Sequence, residues 1–263
     1  LERRREDQSS LVVDLGCIFS YESDHLINLI RGVKGSEKMR NFYILLHIVP
    51  LFYTAGIRKS HGLAIFVHCM YNANDFSRLE LSLPACRGNY RYFRSLIKPS
   101  TRLLVLVKAN AYGHGAVEFA SMLQSEGADY LAVALPVEGV ELRANGISLP
   151  ILVLTAGTDF FPEIIDNRLE PGIPNLYTLQ ALCDTLKEKG MKDFPVHIKL
   201  DTGMHRLGFM TSEIPALLEF LKSHDEVRVK SVYSHLAASE DPSEDEFTLG
   251  QIDMFVRNAG HIT

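Results

Sequence analysis

The chain has 263 residues, of which 46% are hydrophobic, and its 27 Lys+Arg and 32 Asp+Glu give a formal net charge of −5. This composition suits one large domain or two small ones, and the lack of a basic surplus disfavours a nucleic-acid partner. The four cysteines form no CxxC pair, which disfavours a metal site or a disulfide scaffold and favours a cytoplasmic protein. They are Cys17, Cys69, Cys86 and Cys183.

Residues 1–78 form the least regular part of the sequence, and we assign this segment no function. The charged start, LERRREDQSS, does not resemble a signal peptide. The apolar stretch of residues 41–56, NFYILLHIVPLFYTAG, is shorter than a membrane span and is interrupted by His47 and Pro50. We therefore predict a core or interfacial segment here, and no membrane partner.

From residue 79 onwards, two kinds of segment alternate. Short uninterrupted apolar runs predict strands, and segments in which apolar residues recur at helical spacing predict helices. Leucines alternate over residues 79–83 as in a strand, and Pro84 suits the first turn of a helix. Six further strands are predicted, each followed by a helix, which implies right-handed parallel crossovers. Their spacing suits a (β/α)8 barrel of the TIM type better than an open doubly wound sheet, although periodicity alone does not separate the two. The six strands cover residues 103–107, 130–135, 151–155, 168–173, 195–200 and 227–235.

Lys108 follows the uninterrupted apolar run of residues 103–107 and precedes the turn-prone stretch ANAYGHG. Ligands of α/β folds bind at the carboxyl ends of parallel strands. An amine at the end of a buried strand is partly desolvated, which favours the neutral, nucleophilic form that makes a Schiff base. The alternative is a lysine whose stem covers the strand end while its ammonium stays in water.

The stretch VKANAYGHG closely resembles the signature of alanine racemases that use pyridoxal phosphate. The resemblance runs from residue 79 to residue 263 through LELSLPACRGNYRYFRSLIKPSTRLLVLVKANAYGHG, YLAVALPVEGVELRANGISLPILVL, HIKLDTGMHRLGF and VYSHLAASED. It implies an α/β barrel domain that binds the cofactor over residues 79–263. Counted in this way, the barrel has about six of its eight strand–helix units. We therefore expect an incomplete barrel, truncated at its carboxyl end and without the family's C-terminal β-domain.

The resemblance also implies roles for five side chains. Lys108 matches the lysine that holds pyridoxal 5'-phosphate covalently and acts as one of the two racemisation bases. Tyr112 matches a tyrosine that contacts the cofactor phosphate, and His235 matches a histidine that stacks on the pyridine ring. Arg206 matches an arginine that binds the phenolic oxygen of the cofactor and the substrate carboxylate. Lys199 matches a lysine that is carbamylated in several members of the family, and no metal site is expected.

The residues themselves leave simpler interpretations open. Lys199 and Asp201 share one face of a strand, and Arg206 is the natural partner of this pair beyond the strand end, so the cluster is either a ligand site or a structural ion-pair network. A lone histidine such as His235 is often a core residue, although its place at a strand's carboxyl end favours function. Tyr112 can equally pack on the following helix.

The resemblance predicts an isomerase that interconverts L-alanine and D-alanine for peptidoglycan synthesis, as a cytoplasmic homodimer with the amino acid as its small-molecule partner. The family's second base (a tyrosine of the partner subunit), its phosphate-binding loop and its ring-nitrogen arginine match nothing in residues 1–263. We therefore expect little racemase activity from this chain alone.

Three alternatives remain open at this stage. One is a pyridoxal-phosphate carrier barrel, although that family lacks the AYGHG motif; another is an inactive, truncated gene product. The third is a racemase of serine or of broad specificity, since such enzymes share the same motifs.

Within the N-terminal segment, VKGSEKMR at residues 33–40 resembles the end of a Mur ligase, which some bacteria fuse ahead of an alanine racemase. Upstream sequence outside any folded domain is an equal explanation of that piece.

Overall fold

The computed structural model describes residues 10–15, 41–46 and 81–262, the first two ranges as backbone. Its strands are all parallel and follow one another in chain order around a closed barrel. The eight strands are β1 (Ser10–Leu15), β2 (Asn41–Leu46), β3 (Arg102–Leu106), β4 (Tyr130–Val133), β5 (Ile151–Val153), β6 (Glu170–Ile173), β7 (Phe194–Lys199) and β8 (Val227–Leu236).

Helices lie on the outside of this ring. Within residues 81–262, one helix precedes β3, and a further helix follows each of the strands β3 to β8. Ser82 caps the first helix by accepting a hydrogen bond from the backbone N–H of Ala85 at 3.4 Å, and Asn175 caps the fifth by accepting one from Thr178 at 2.9 Å. The helices are α1 (Leu83–Leu96), α2 (Ala116–Ser125), α3 (Pro136–Ala144), α4 (Phe161–Asp166), α5 (Leu176–Glu188), α6 (Ile214–Lys222) and α7 (Asp245–Ile262). None of the helices in the described ranges combines the length and the apolar character that a membrane span requires.

The six predicted strand–helix units over residues 103–258 are confirmed as β3 to β8 with their helices. The predicted strand at residues 79–83 is wrong for residues 81–83. Leu83 begins α1 there, because Ser82 supplies the cap and Pro84 occupies the first turn. The capping residues therefore determine the secondary structure of this stretch, and the alternation of its leucines does not.

The gap between β3 and β8 is filled by the two strands from the unassigned N-terminal segment. β1 pairs with β8, with Leu15 opposite Leu236, and β2 pairs with β3, with Leu46 opposite Val105. The prediction of six units over the family-like region is thus confirmed, and β1 and β2 close the ring that those units leave open. The segment resembling a Mur ligase, residues 33–40, lies outside the described residues.

Side chains of the strands alternate between two apolar layers. The outer layer, which includes Leu103 and Val105 of β3 and the following Val107, packs against the helices. The inner layer lies inside the barrel and joins residues from β3, β4, β5 and β8 in one buried cluster. Burial on both faces explains the uninterrupted apolar runs in the sequence. The inner cluster consists of Leu104, Leu106, Tyr130, Ala132, Leu152 and Tyr233.

Candidate active site

The chain leaves β3 through a left-handed turn, Lys108–Gly113. Four consecutive residues that are not glycine have positive φ: Ala109 at 50°, Asn110 at 53°, Ala111 at 49° and Tyr112 at 56°. The left-handed conformation costs L-residues about 1–2 kcal/mol each. Such strain persists when the surrounding structure fixes it, and it is concentrated at functional sites.

Hydrogen bonds from both sides hold this turn in place. The backbone N–H of Ala111 donates to the carbonyl of Val107 at 2.9 Å, and Gly115 donates to the carbonyl of Asn110 at 3.1 Å. The side chain of Asn110 accepts from Ala116 at 2.8 Å, which begins α2. The turn is therefore continuous with β3 at one end and with α2 at the other.

Glu138, in the first turn of α3, is a further partner that the sequence analysis did not single out. Its Oε1 accepts a hydrogen bond from the backbone N–H of Ala109 at 2.5 Å. Its Oε2 accepts from the backbone N–H groups of Ala134 at 2.7 Å and Leu135 at 2.9 Å. One carboxylate thus connects the residue after Lys108 with the segment that follows β4.

Lys108 and Tyr112 lie together at the carboxyl edge of the barrel. The Nζ of Lys108 is 6.0 Å from the centroid of the Tyr112 ring, and both side chains are half-buried. The Tyr112 ring also packs on the inner apolar cluster. His114 binds within the turn, with its Nδ1 2.8 Å from the carbonyl oxygen of Ala111.

On β7 and β8, Lys199 lies opposite Tyr233 in the strand register. The Nζ of Lys199 is 5.2 Å from the centroid of the Tyr233 ring, which is buried. A Cβ atom at Gly172 of β6 would overlap the Tyr233 hydroxyl, so this ring occupies space that a side chain at position 172 would need. His235 is two residues further along β8 on the same side, and it is half-buried.

The loop after β7 folds back onto its own strand. The backbone N–H of Phe209 donates to the carbonyl of Lys199 at 2.8 Å, and Asp201 donates to Phe209 at 3.0 Å. Gly208 has a φ of +132°, and a Cβ atom there would lie 2.5 Å from the backbone nitrogen of Asp201. The glycine of the HRLGF motif is therefore required by a close approach of backbone to backbone.

Asp201 organises this loop and does not pair with Arg206, contrary to the ion pair suggested by the sequence. Its Oδ1 accepts from the backbone N–H groups of Gly203 and His205, each at 3.0 Å, and His205 Nδ1 lies 3.4 Å from Oδ2. Burial opposes ionisation of Asp201, but these backbone hydrogen bonds and the His205 charge hold its pKa below the ordinary value. Arg206 is exposed, and no carboxylate within residues 81–262 forms an ion pair with it.

Gln251 of α7 joins the loops after β7 and β8, and the sequence analysis missed it. Its Nε2 donates to the carbonyl of His235 at 3.1 Å and to Thr202 Oγ1 at 3.3 Å, and its Oε1 accepts from Ala237 at 3.0 Å. Thr202 and Ser234 share a 2.7 Å hydrogen bond. A glutamine on the apolar face of a predicted helix is the sequence signal that would have identified this link.

We call Lys108, Tyr112, Lys199, Arg206 and His235 the edge layer, because they lie at or beyond the carboxyl ends of the strands. The structure places all five on this side of the barrel, since the strands are parallel. It brings Lys108 against Tyr112 and places Lys199 on Tyr233, next to His235. Three of these residues are cations, so the edge layer suits an anionic ligand.

A second polar group, which the sequence analysis also missed, lies deeper in the barrel. We call Tyr130, Glu170, His197, Lys230 and Ser231 the buried layer. The pair His197 and Ser231 precedes Lys199 and Tyr233 by two residues on β7 and β8. The buried layer therefore lies one layer of side chains beneath the edge layer.

Glu170 is the centre of the buried layer. His197 Nε2 lies 2.8 Å from its Oε2, Lys230 Nζ donates to its Oε1 at 2.8 Å, and the Tyr130 hydroxyl donates to its Oε2. His197 Nδ1 is 2.6 Å from Ser231 Oγ. Burial opposes ionisation of Glu170, but the His197 hydrogen bond and the charges of His197 and Lys230 hold its pKa below the ordinary value. Burial lowers the pKa of His197 more than Glu170 raises it.

Comparison with known proteins gives this geometry a family context. Residues 81–263 match the family model described as the alanine racemase N-terminal domain. The alanine racemase of Synechocystis sp. is 42% identical over 169 residues, which are 63% of this chain and 45% of that protein. The alanine racemase of Syntrophobacter fumaroxidans is 37% identical over 174 residues, which are 66% of this chain and 46% of that protein.

Solved structures agree with these matches. The alanine racemase of Clostridium difficile 630 in complex with cycloserine is 34% identical with a TM-score of 0.63, covering 66% of this chain and 48% of that one. The alanine racemase of Bacillus anthracis with bound L-Ala-P is 27% identical with a TM-score of 0.62, covering 68% and 46%. The chain spans about half the length of the curated relatives that it matches.

Proposed function

We propose that this chain, which belongs to the alanine racemase N-terminal domain family, binds pyridoxal 5'-phosphate covalently through Lys108 and uses the same amine to move the α-proton of an amino acid. The observation that carries this proposal is the position of Lys108. This residue is half-buried at the carboxyl edge of a barrel strand, and its amine lies beside the Tyr112 ring in a strained turn.

The donor set of the edge layer fits this cofactor. A primary amine on Lys108 can bind its aldehyde carbon covalently, and the cations of Lys199 and Arg206 suit its phosphate and phenolic oxygens. The inner apolar cluster beneath supplies a floor for an aromatic ring. When bound, the cofactor supplies the electron sink that a carbanion at the α-carbon needs.

The chain's own residues would transfer the proton and hold the cofactor and the substrate in place. We propose that Lys108 Nζ takes or gives the proton at one face of the α-carbon. The Tyr112 hydroxyl would donate to the cofactor phosphate, and the His235 ring would stack on the pyridine ring. The Arg206 guanidinium would bind the substrate carboxylate in a fork, since it remains charged at all working pH values.

We propose two chemical states for the Lys199 side chain, a free ammonium and a carbamate. As a cation it lies on the face of Tyr233, where the ring quadrupole favours a positive charge. As a carbamate it would become an anion able to hold the Arg206 guanidinium. The exposed position of Arg206 leaves it available for that contact.

We infer that the substrate is alanine and that the physiological product is D-alanine for peptidoglycan. The support is that the relatives are named alanine racemases and that one structure is a complex with cycloserine. A second base from a partner subunit, and hence a homodimer, belongs to the same proposal, and its support is the resemblance to a family whose second base is a tyrosine of the partner subunit. The cytoplasmic location inferred from cysteine spacing also stays a prediction.

The test is reductive trapping of the cofactor on the purified chain. Pyridoxal phosphate is added, the absorbance spectrum is recorded, and borohydride reduction is followed by peptide mapping. We expect a band that free pyridoxal phosphate lacks and a label on Lys108. The label should disappear in Lys108→Ala and persist in Lys98→Ala, a matched change at an exposed lysine.

A label scattered over exposed lysines would refute the proposed role of Lys108. Conversion of L-alanine to D-alanine is then measured on the same preparations by chiral chromatography. Conversion that depends on Lys108 supports a racemase. A specific label without any conversion, even after a C-terminal β-domain from a relative is joined to the chain, would favour the carrier alternative.

A further inference from the structure

We propose that Glu138 is a positioning residue for Lys108, because its carboxylate holds the left-handed turn through which the chain leaves β3. This inference rests on the proposed function of Lys108. It goes beyond that function, because it assigns the placement of the reactive amine to a side chain on another strand–helix unit. Glu138 is 29 residues away from Ala109, the residue whose N–H it binds.

The two oxygens of Glu138 contact two different elements. Oε2 accepts from the backbone N–H groups of Ala134 and Leu135, at the start of α3. Such bonds are usual for a glutamate in the first turn of a helix, because they satisfy N–H groups that have no partner within the helix. Oε1 instead accepts from Ala109, which follows Lys108 directly. The second bond is not needed by the helix.

The bond to Ala109 acts on Lys108 through the peptide plane. The N–H of Ala109 and the carbonyl of Lys108 belong to one planar unit. A partner that fixes the direction of this N–H therefore fixes ψ of Lys108 and, with it, the direction in which the lysine side chain leaves the backbone. The bond also joins the carboxyl end of β3 to the end of its neighbour β4.

The turn needs such an external partner, because its conformation is unfavourable for the residues that it contains. Ala109 is the first of the four left-handed residues. Its neighbours Asn110 and Ala111 are held by bonds within residues 107–116, which the turn and α2 provide themselves. The bond from Glu138 to Ala109 ties the turn to another strand–helix unit.

The test compares Glu138→Ala and Glu138→Gln with Glu141→Gln, a control that changes an exposed glutamate one turn further along α3. The first readout is competitive acylation of the folded chain without cofactor, quantified for each lysine by mass spectrometry over a range of pH. We expect the acylation profile of Lys108 in Glu138→Ala to approach that of the exposed Lys98, because a released turn lets the amine enter water. The profile of Lys108 in Glu141→Gln should equal that of the wild type.

The second readout is the rate at which pyridoxal phosphate is trapped on Lys108. We expect a loss of about tenfold in Glu138→Ala, because small misplacements of a reacting group have large effects on rate. Glu138→Gln should restore part of this rate, since its single amide oxygen can accept from the turn or from the start of α3, but not from both. Thermal unfolding establishes that the variants are folded. If Glu138→Ala does not fold, the comparison of Glu138→Gln with the wild type decides between the two outcomes.

A Lys108 profile and a trapping rate equal to those of the wild type in a folded Glu138 variant would overturn the proposal. Glu138 would then serve α3 alone. If the wild-type chain does not trap the cofactor on Lys108, the proposed function fails, but acylation still decides whether Glu138 positions this amine. The two failures are therefore distinguishable.

Discussion

The edge layer and the buried layer of this barrel contain similar residue types, but the two layers use them in opposite ways. In the buried layer, the carboxylate of Glu170 accepts hydrogen bonds from His197, Tyr130 and the partly exposed Lys230, so its charge has a partner within the chain. In the edge layer, Lys108 and Lys199 lie against aromatic faces, and Arg206 extends from an exposed loop.

The physical difference is the environment of each charge. A charge inside the barrel is stable only when a partner and hydrogen bonds replace its water. A charge at the rim keeps part of its hydration and remains available to a ligand. We therefore expect the buried layer to stabilise the fold, and we propose that the edge layer carries the chemistry. Three predictions test this division.

The largest expected effect is the loss of stability in Glu170→Ala. The change removes the acceptor shared by His197, Lys230 and Tyr130 and leaves the buried polar atoms of His197 and Tyr130 without it. We expect the free energy of unfolding to fall by about 3 kcal/mol, as when one partner of a buried ion pair is removed. Urea denaturation measures this value.

The matched control for Glu170→Ala is Glu219→Ala, which breaks an exposed pair with Lys222. An exposed pair contributes at most about 1 kcal/mol. Equal losses in the two variants would contradict the stabilising role of the buried layer.

A smaller effect is expected from pH. Burial lowers the pKa of His197 from its ordinary value of 6.5 in the folded chain. As the pH falls below 6.5, the unfolded chain therefore binds a proton at this residue before the folded chain does. Because stability rises with pH wherever the unfolded state binds more protons, the free energy of unfolding should fall as the pH drops.

Glu170, whose folded-state pKa is below its ordinary value of 4.5, extends the same trend to lower pH. Thermal unfolding from about pH 8 to about pH 5 measures the first part of this dependence. The variant His197→Asn should show a flatter curve between these limits. An unchanged slope in that variant would assign the pH dependence to other histidines.

The smallest effect is expected for Lys199→Met in the edge layer. The change keeps the length of the side chain and removes the ammonium from the face of Tyr233. We expect a loss of about 0.5–1 kcal/mol in the free energy of unfolding, the contribution of a partly exposed cation–π contact. A loss as large as that of Glu170→Ala would show that the edge layer is also a structural network.

The sequence was sufficient to predict β3 to β8 and their helices, because apolar periodicity and turn residues are local properties of the chain. It also located Lys108 at a strand end, since five apolar residues precede it directly. It did not predict β1 and β2 as members of the same barrel. Their pairing with β8 and β3 joins segments far apart in sequence, and no local pattern encodes such a register.

The candidate site shows the same limit. Motif similarity supplied Lys108, Tyr112, Lys199, Arg206 and His235, and the structure places all five at one edge because parallel strands share a direction. Glu138 and Gln251 were missed, because each has an ordinary place on its own helix and gains its role from loops that other strands bring to it. The sequence predicted a turn after Lys108 but not its left-handed conformation, since three of its four strained residues have no marked preference for positive φ.

The sequence by itself determined the alternation of strands and helices, the lysine at the end of its strand and the family to which these motifs are similar. The tertiary structure alone decided which polar groups meet: Glu170 with His197 and Lys230, Glu138 with Ala109, and Asp201 with its own loop. The reason is that hydrogen bonds and ion pairs are short in range. Their partners are fixed by strand register and by the stacking of layers in the barrel, and both follow from packing of the whole chain.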